Sequence, residues 1–259
     1  MSAERPPYGT PDHVDDPRHP VRLAMWSGPR NISTAMMRSW ENRADCTVVD
    51  EPLYAYYLQR TGIDHPAREQ VIASMPHDLD QVVDSLFAAL PAGIRVFYQK
   101  HMTHHLLPDT DREWIWRLRN VLLIRDPREV TASYIRSRDS IEPADIGVHQ
   151  QVELYERLSA RGDPPPIIDA ADFLQAPEGY LRWICGWLGV DFTSQMLVWP
   201  PGPRDSDGVW APYWYDAVRG STGFAPWRPR DVQLSGQPAA VAAACADGYQ
   251  FLHEKRLRL

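Results

Sequence analysis

Cysteine, long apolar runs and positive charge are all scarce in this chain. Its three cysteines, Cys46, Cys185 and Cys245, lie far apart and show no C-x-x-C spacing, so neither a disulfide framework nor a thiolate zinc site is predicted. No apolar run approaches the roughly 18 residues of a membrane span, and the N-terminus lacks a basic segment followed by an apolar one. We therefore expect three buried thiols, a cytoplasmic location and no membrane partner.

The charge balance argues against a nucleic-acid partner. Lysine and arginine number 27 against 34 aspartate and glutamate residues, which gives a formal net charge of -7. Proteins that bind nucleic acids by neutralising phosphates are usually basic. The expected partner is therefore a small molecule, and the sequence leaves open whether the chain forms a homodimer.

The length and composition are those of one globular domain. The chain has 259 residues, of which 44% are hydrophobic and 24% charged, so it can bury a single core. Residues 1–20 hold five of the 24 prolines and little apolar periodicity, which predicts a flexible tail before a domain over 21–259. No internal repeat is present, which excludes solenoids and propellers.

Short apolar runs alternate with helix-like segments along this domain. The five candidate strands are Val21–Ser27, Cys46–Asp50, 94–99, 121–125 and Ile167–Asp169. Apolar spacing predicts helices over 79–90, 181–188 and 238–252, and the aromatic-rich residues 199–230 are expected to form a long ordered loop. Because helices separate the strands, we predict a single α/β domain with a central parallel β-sheet flanked by helices. Its ligands are expected at the carboxyl ends of the strands.

The segment after the first strand has the composition of a phosphate-binding loop. Its residues are Gly28, Pro29, Arg30, Asn31, Ile32, Ser33 and Thr34, and apolar residues at helical spacing follow. A helix N-terminus offers free backbone N–H groups and the positive end of the helix dipole to an anion, while Arg30 adds a cation. The Walker A pattern G-x-x-x-x-G-K-[ST] is absent, which disfavours a magnesium-dependent NTPase. An ordinary turn with Ser or Thr capping is the alternative.

A second anion site is predicted around Arg125. The run N-V-L-L-I-R-D-P-R-E-V-T-A-S-Y over 120–134 is an apolar strand that ends in Arg125, with Asp126 as the N-cap and Pro127 in the first turn of a helix. Arg125 would then lie on the same sheet edge as the first loop. Two anion sites on one edge suit a ligand with two separate phosphate-type groups. The alternative is a surface salt bridge from Arg125 to Asp126 or Glu129.

With these two motifs the sequence resembles the sulfotransferases that use 3′-phosphoadenosine 5′-phosphosulfate (PAPS) as sulfuryl donor. The resemblance spans about residues 21–227 and implies their P-loop-like fold. It implies that 28–34 hold the 5′-phosphosulfate, and that Arg125 and Ser133, eight positions on, hold the 3′-phosphate. A third donor-binding element, similar to the family's K-G-x-x-G segment, is Arg219, Gly220, Ser221 and Thr222. The chain departs from the family pattern where Arg30 replaces a frequent lysine and Ile32 replaces a loop glycine.

The same resemblance offers two candidates for the base that takes the acceptor's proton. Glu51, in an E-P-L segment after the second strand, is similar to the proposed base of carbohydrate-type sulfotransferases. His101, beside Lys100, is similar to the histidine in the K-x-H segment of the cytosolic type. Two bound anions would raise the pKa of a carboxyl and keep an imidazole protonated, so Glu51 is the favoured base. Lys100 and His101 would then stabilise the sulfuryl group, and Arg30 the departing phosphate.

Structural roles are the alternatives for these residues. Glu51 could cap or salt-bridge the next helix, and His101 could be a core histidine. His101, His104 and His105 have the i, i+3, i+4 spacing of metal ligands. Neither a fourth ligand nor an H-E-x-x-H pattern accompanies them, so no metal is expected.

The sequence thus predicts a PAPS-dependent sulfotransferase that acts on a hydroxyl or amine of a small-molecule acceptor and leaves 3′-phosphoadenosine 5′-phosphate (PAP). A P-loop nucleotide kinase is one alternative, and a non-catalytic nucleotide-binding protein on the same fold is another. The prediction requires the loop at 28–34 and the segment 125–133 to converge on one cleft.

Overall fold

One sheet of five parallel strands organises the protein. The computed structural model describes residues 20–136 and 140–259. Its strands are β1 (Val21–Ser27), β2 (Cys46–Asp50), β3 (Val96–Met102), β4 (Arg119–Ile124) and β5 (Ile167–Asp169), in the spatial order β2-β3-β1-β4-β5. Every neighbouring pair is parallel. The predicted tail, residues 1–20, lies outside the described residues except for Pro20.

The prediction of an α/β domain with a central parallel sheet is confirmed, with two strands displaced. β3 starts two residues later than the predicted 94–99 and continues to Met102, so Lys100 and His101 lie within the strand. β4 runs from Arg119 to Ile124, and Arg125 is the first residue beyond it. The other three strands have the predicted bounds.

Helices cover both faces of the sheet. In the described part of the chain they are α1 (Ser33–Glu41), α2 (Tyr54–Thr61), α3 (Arg68–Ser74), α4 (Leu79–Phe87), α5 (Pro127–Tyr134), α6 (Pro143–Ile146), α7 (Val148–Ala160), α8 (Ala170–Gln175), α9 (Pro177–Trp187), α10 (Ala211–Trp214), α11 (Asp216–Arg219), α12 (Gly236–Ala244) and α13 (Ala246–Glu254). Short 3₁₀ turns cover Thr103–His105, Glu113–Arg117 and Ser194–Leu197. The helix predicted over 238–252 is divided at Cys245, and α10 and α11 lie within the predicted loop 199–230.

Each face of the sheet has its own core, because successive residues of a strand point to opposite faces. Leu23 and Met25 of β1 pack on one face with side chains of α1 and α9. Ala24 and Trp26 pack on the other face with side chains of α4, α7 and α13. A strand segment buried on both sides has no polar face, which explains the apolar runs over 23–26 of β1 and 121–124 of β4. Burial of each such large side chain contributes about 1.5–3 kcal/mol.

The strand order opens a crevice at the carboxyl edge. The chain leaves β1 toward β2, whereas it leaves β4 toward β5 on the opposite side of the sheet. Connections that diverge from adjacent strands leave a gap between them, and ligands of open α/β sheets bind in such gaps. The gap here lies between the ends of β1 and β4, where both predicted anion-binding segments begin.

The cysteines are structural. All three are buried free thiols, as predicted. Burial raises the pKa of Cys46 to about 12, so this thiol stays protonated and unreactive. Across 20–136 and 140–259, no helix combines the length and apolarity needed to span a membrane.

Candidate active site at the carboxyl edge of the sheet

The loop between β1 and α1 is tightly packed and strained. A Cβ on Gly28 would come within 2.3 Å of the Ile146 carbonyl oxygen, so only glycine fits there. Arg30 has a left-handed backbone with a φ of 54°, which disfavours a residue with a side chain by about 1–2 kcal/mol. The side-chain amide of Asn31 donates to the Leu123 carbonyl at 3.0 Å and ties the loop to β4. Strain of this kind persists where surrounding structure enforces it, and it is common at functional sites.

The first turn of α1 keeps backbone donors for a ligand. Its N-cap residue, Ile32, has no side chain that accepts a hydrogen bond from this turn. The first N–H groups of a helix have no partner within the helix, and the helix dipole makes this end positive. Ser33 and Thr34 add two hydroxyl groups at the same end. The start of α1 therefore has features that suit an anion, and the assignment of 28–34 to the donor's phosphosulfate stays a prediction.

The two predicted anion-binding segments meet at this edge. Arg30 Nε donates to Ser133 Oγ at 3.0 Å. Arg125 Nη1 donates to the carbonyl oxygen of Arg30 at 2.8 Å. The guanidinium of Arg30 therefore lies beside Arg125 and Ser133, the pair to which the resemblance assigns the 3′-phosphate.

The segment that begins α5 also has the predicted local structure. The Asp126 carboxylate caps the helix by accepting from the Arg128 backbone N–H at 2.8 Å, and Pro127 lies in the first turn. Arg125 donates to Glu129 from Nε at 3.0 Å and from Nη2 at 2.7 Å. The salt bridge considered as an alternative is thus present alongside the contact with the loop. Glu129 orients the Arg125 guanidinium while one nitrogen of that group reaches Arg30.

Cations are concentrated around Arg30. Burial lowers the pKa of Arg30, and the charges of Arg125 and Arg136 lower it further. All three side chains are guanidinium cations, so they repel one another. An anion placed among them would relieve this repulsion and accept charge-assisted hydrogen bonds.

Two cavities adjoin this cluster and share Glu129 and Arg230 in their walls. The first has a volume of about 520 Å³ and is lined by Arg125, Trp227 and Arg228, among others. The second, of about 620 Å³, includes Ser133 and Arg136 in its lining. Together they provide space for a nucleotide-sized ligand next to the arginine cluster.

Arg228 and Arg230 are site residues that the sequence analysis missed. Neither forms an ion pair with any residue of 20–136 or 140–259. The available signal was the run W-R-P-R at 227–230, in which two arginines interrupt an aromatic and proline-rich segment. Unpaired guanidinium groups in a cavity wall are available to a ligand.

The predicted third element, Arg219 to Thr222, does not line either cavity. The Thr222 carbonyl accepts from the Trp199 backbone N–H at 3.1 Å, and Ser221 Oγ accepts from the Trp199 indole at 3.0 Å. These contacts hold the segment against 198–199. The arginines next to Arg125 come instead from 228–230, a few residues further along the chain.

Glu51 and Lys100 lie together at the ends of β2 and β3. Lys100 Nζ donates to Glu51 Oε1 at 2.5 Å, to Asp50 Oδ1 at 2.7 Å and to Tyr215 Oη at 2.8 Å. An ammonium has three N–H donors, so all of them are used within the protein. Lys100 therefore holds Glu51 in place, and the predicted contact with a sulfuryl group would require one of these bonds to break.

The carboxyl of Glu51 has the properties of a proton acceptor. Burial raises its pKa and the charge of Asp50 raises it further, whereas Lys100 opposes both effects. Its side chain is 11% exposed, against 2% for Asp50. Within the described ranges, the only side-chain hydrogen bond to Glu51 reaches Oε1, which leaves Oε2 open. A partly accessible carboxyl with a raised pKa can take a proton near neutral pH.

The arginine cluster and Glu51 share one edge of the sheet. The strands between them follow the order β2-β3-β1-β4. Neighbouring strands lie about 4.8 Å apart, so the ends of β2 and β4 are separated by about 14 Å. The two predicted anion-binding segments are in contact with each other. Glu51 lies on the same edge of the sheet, three strands away from α5.

The structure does not place His101 with Glu51 and Lys100. Successive strand residues point to opposite faces, so the imidazole of His101 enters the core on the other side of β3. It stacks on Trp26 with ring centroids 4.1 Å apart, and its Nε2 lies 3.1 Å from Gln99 Oε1. Burial lowers the pKa of His101 to about 3, so the ring is neutral. Its surroundings are those of the core histidine considered as an alternative.

His104 and His105 also pack among rings. His105 stacks on Tyr54 and on Tyr57, each with ring centroids 4.8 Å apart. In the part of the chain that the structure describes, no group of three or more His, Cys, Asp or Glu side chains is arranged to hold a metal ion. The three histidines at this spacing, His101, His104 and His105, pack against aromatic rings.

The protein is an α/β domain with a central parallel sheet, and arginines cluster at the carboxyl edge of that sheet. A sequence model of the sulfotransferase domain matches residues 21–246, and the chain therefore belongs to the sulfotransferase domain family. A crystal structure of a sulfotransferase from Alicyclobacillus acidocaldarius superposes with a TM-score of 0.53 at 15% identity. It covers 92% of this chain and 97% of that one, and this likeness shows the fold.

Two curated relatives from Arabidopsis thaliana share more sequence with this chain. Branched-chain-amino-acid aminotransferase-like protein 1 is 37% identical over 222 residues, which cover 83% of this chain and 39% of the relative. Branched-chain-amino-acid aminotransferase-like protein 2 is 36% identical over 203 residues, which cover 77% and 35%. The chain thus spans less than half the length of the curated relatives that it matches.

Proposed function

We propose that this chain transfers a sulfuryl group from PAPS to a hydroxyl or amine of a small-molecule acceptor. The observation that carries the proposal is the junction of Arg30, Arg125 and Ser133 on the sheet edge that also holds Glu51. Family membership supports sulfuryl transfer. The two linked cavities beside the junction support a nucleotide as the donor.

The residues present suit a donor with two anionic ends. Arg125, Ser133 and Arg30 would hold the 3′-phosphate, because guanidinium groups and hydroxyls are strong phosphate donors. Arg228 and Arg230 would add charge from the cavity walls. The uncapped first turn of α1 would hold the 5′-phosphosulfate through its backbone N–H groups.

The transfer step needs an in-line approach and a base. When bound, PAPS supplies a sulfuryl group whose bond to the bridging phosphate oxygen breaks as the bond to the acceptor forms. Glu51 would take the acceptor's proton on Oε2, while Lys100 keeps the carboxyl oriented through Oε1. The N–H groups of the first turn of α1 would stabilise charge on the departing phosphate.

The names of the curated relatives make amines the first class of acceptor to screen. The curated relatives carry aminotransferase-like names, and this chain matches only part of each. Both hydroxyls and amines lose a proton on sulfation, so either class requires the base that Glu51 would provide. An acceptor screen should therefore begin with amines derived from amino acids and then extend to alcohols.

Calorimetry and labelled donor together test the proposal. The protein is titrated with PAP and, separately, with ATP plus Mg²⁺, and tight binding of PAP with no preference for ATP is expected. The protein is then incubated with cell extract and isotopically labelled PAPS, and labelled products are identified by mass spectrometry. Glu51→Gln should retain PAP affinity and lose turnover by about 10²–10⁴-fold, the usual contribution of a general base.

Glu178→Gln is the matched control, because Glu178 is an exposed carboxylate that pairs with Arg182 on α9. It should leave turnover unchanged. A preference for ATP plus Mg²⁺ would contradict the proposal in favour of a nucleotide kinase. PAP binding without transfer to any acceptor would identify a non-catalytic nucleotide-binding protein.

A further inference from the structure

Two carboxyl groups, one of them that of the proposed base Glu51, share one ammonium at the ends of β2 and β3. Asp50 is the last residue of β2, Glu51 follows it, and both bond to Lys100 Nζ, at 2.7 Å and 2.5 Å. The side chains of Lys100 and Asp50 are 1% and 2% exposed. One buried cation therefore faces two acids, and their surroundings decide which of the two keeps its negative charge.

The hydrogen bonds to the two carboxyl groups are unequal. Asp50 accepts from Lys100 on Oδ1 and from the Tyr215 hydroxyl on Oδ2 at 2.6 Å. Glu51 accepts from Lys100 alone among the side chains of the described segments. Asp50 therefore accepts two side-chain hydrogen bonds and Glu51 accepts one. Burial raises the pKa of Glu51, and its Oε2 has no side-chain donor among the described residues, so Glu51 is the carboxyl placed to take a proton.

Tyr215 joins this cluster from a distant part of the chain. It lies between α10 and α11, and 165 positions separate it from Asp50. Its oxygen donates to Asp50 and accepts from Lys100 and, at 3.2 Å, from the Trp210 indole. The aromatic segment 199–230 therefore closes over the ends of β2 and β3 through one phenol that bonds to both charged groups.

We propose that Asp50 and Tyr215 are positioning residues, which fix a protonated Lys100 beside Glu51 and leave Glu51 as the carboxyl that takes the acceptor's proton. This inference rests on the proposed function and names residues that neither the family motifs nor the sequence analysis assigned. Among the described residues, no side-chain hydrogen bond or ion pair joins Asp50 or Tyr215 to a residue of the proposed donor site. They act on the reaction through Lys100.

The directions of the pKa shifts in this cluster agree with Lys100 as a permanent cation and Glu51 as the proton acceptor. Burial raises the pKa of Glu51, the charge of Asp50 adds to that effect, and Lys100 opposes it. For Lys100 burial would lower the pKa, yet Asp50, Glu51 and Tyr215 raise it well above its usual value, so the ammonium stays charged. Burial raises the pKa of Tyr215 well above its usual value, so the phenol stays neutral.

Two further titratable side chains interact electrostatically with Lys100. Burial raises the pKa of Tyr98 well above its usual value, and burial lowers the pKa of His105 well below its usual value. Both are therefore neutral near neutral pH. The charges that act on Glu51 from within the described residues are those of Asp50 and Lys100.

Asp50→Asn and Tyr215→Phe test the proposal in the full-length chain. Asp50→Asn removes a negative neighbour, so the acidic limb of the kcat/KM profile should move to lower pH by about one unit. Tyr215→Phe frees one donor of Lys100 and one oxygen of Asp50. It should lower kcat by about tenfold, while KM for PAPS changes by less than about twofold, because the donor residues lie elsewhere on the edge.

Tyr180→Phe is the matched control, because it also removes a buried phenol, whose hydroxyl donates to the Leu257 carbonyl at 3.1 Å. Its kcat and pH profile should equal those of the unmodified protein. An equal loss of kcat in Tyr180→Phe and Tyr215→Phe would reduce Tyr215 to a general packing role. An acidic limb that stays in place in Asp50→Asn would overturn the role of Asp50.

A titration independent of turnover separates this inference from the proposed function. The side-chain carboxyl of Glu51 is followed by ¹³C NMR with labelled glutamate, and its signal is identified by its absence in Glu51→Gln. Asp50→Asn should lower the pH at the midpoint of the titration of this signal, whether or not the protein transfers a sulfuryl group. Transfer without that shift overturns the positioning role alone, and the shift without transfer overturns the proposed function alone.

Discussion

Arg30 and Ser133, 103 positions apart in the chain, are joined by a hydrogen bond of 3.0 Å from Nε to Oγ. The bond brings the loop after β1 onto the second turn of α5. It forms because β1 and β4 are neighbours in a parallel sheet, so the segments that follow them emerge at the same edge. Each segment alone is an ordinary turn before a helix, and their contact creates a cationic site.

Loss of the Arg125 guanidinium should weaken nucleotide binding. Arg125 lies between the loop carbonyl of Arg30 and the first cavity, and a lost charge-assisted hydrogen bond costs about 2 kcal/mol. Arg125→Ala should therefore lower PAP affinity by about 30-fold in calorimetry. Arg128→Ala is the control, because Arg128 is 67% exposed and Asp126 is its one ion-pair partner among residues 20–136 and 140–259. Equal affinities for the two variants would remove Arg125 from the donor site.

Backbone strain at Arg30 can be separated from its charge by comparing two substitutions. Alanine retains the cost of a left-handed backbone at a φ of 54°, whereas glycine removes it. The free energy of unfolding, measured in urea, should therefore be about 1 kcal/mol higher for Arg30→Gly than for Arg30→Ala. Both should lose PAP affinity by similar factors, since neither has a guanidinium. If the two variants unfold at the same urea concentration, the loop is not strained at this position.

Much of the fold followed from local patterns in the sequence. Runs of apolar residues such as Val21–Ser27 indicate strands buried on both faces, and the Asp126 N-cap with Pro127 marked the start of α5. The end of β3 was less predictable. Lys100 and His101 are polar, so the predicted strand ended at Gln99, although core packing and the Asp50–Lys100 pair keep both residues within β3.

The site was predictable only where residues close in sequence act together. The resemblance to the sulfotransferase motif pointed to Arg125 and Ser133 on one side of the arginine cluster, but no local pattern showed that Arg30 would reach Ser133. Tyr215 and Arg230 come from an aromatic segment with no periodicity, and their places depend on long-range packing. Alternation along β3 separated His101 from Lys100, and this separation became visible once the strand was known to continue to Met102.

Arg230 should contribute to nucleotide binding more than its exposed position suggests. It lines both cavities and forms no ion pair with the described residues, so its charge is available to a ligand. Arg230→Ala should lower PAP affinity by about tenfold, and the loss should shrink at high salt because charges at an open cavity are screened. Arg182→Ala removes an arginine from α9 that pairs with Glu178 and should leave affinity unchanged. An affinity loss that persists in 1 M salt would point to a packing role for Arg230.

His101 should contribute to the pH dependence of stability. Burial lowers its folded-state pKa from 6.5 to about 3, so the folded protein holds the neutral ring while the unfolded chain binds a proton below about pH 6.5. The free energy of unfolding therefore falls by about 1.4 kcal/mol per pH unit for this group as pH drops from 6.5 toward 3, and is unaffected by it above 6.5. His101→Phe keeps a ring against Trp26 and should make the urea-measured decline between pH 6 and 4 shallower.

The same variant bears on the identity of the base. Phenylalanine cannot take a proton, so His101→Phe should retain turnover within a few-fold if Glu51 takes the acceptor's proton. Some stability will be lost at all pH values, because Gln99 Oε1 loses its partner at His101 Nε2 and an unsatisfied buried group costs about 1–3 kcal/mol. Assays are therefore run well below the unfolding temperature, with His149→Phe, which replaces an exposed imidazole on α7, as the control. A loss of turnover of a hundredfold or more in His101→Phe, with PAP affinity intact, would transfer the role of base from Glu51 to His101.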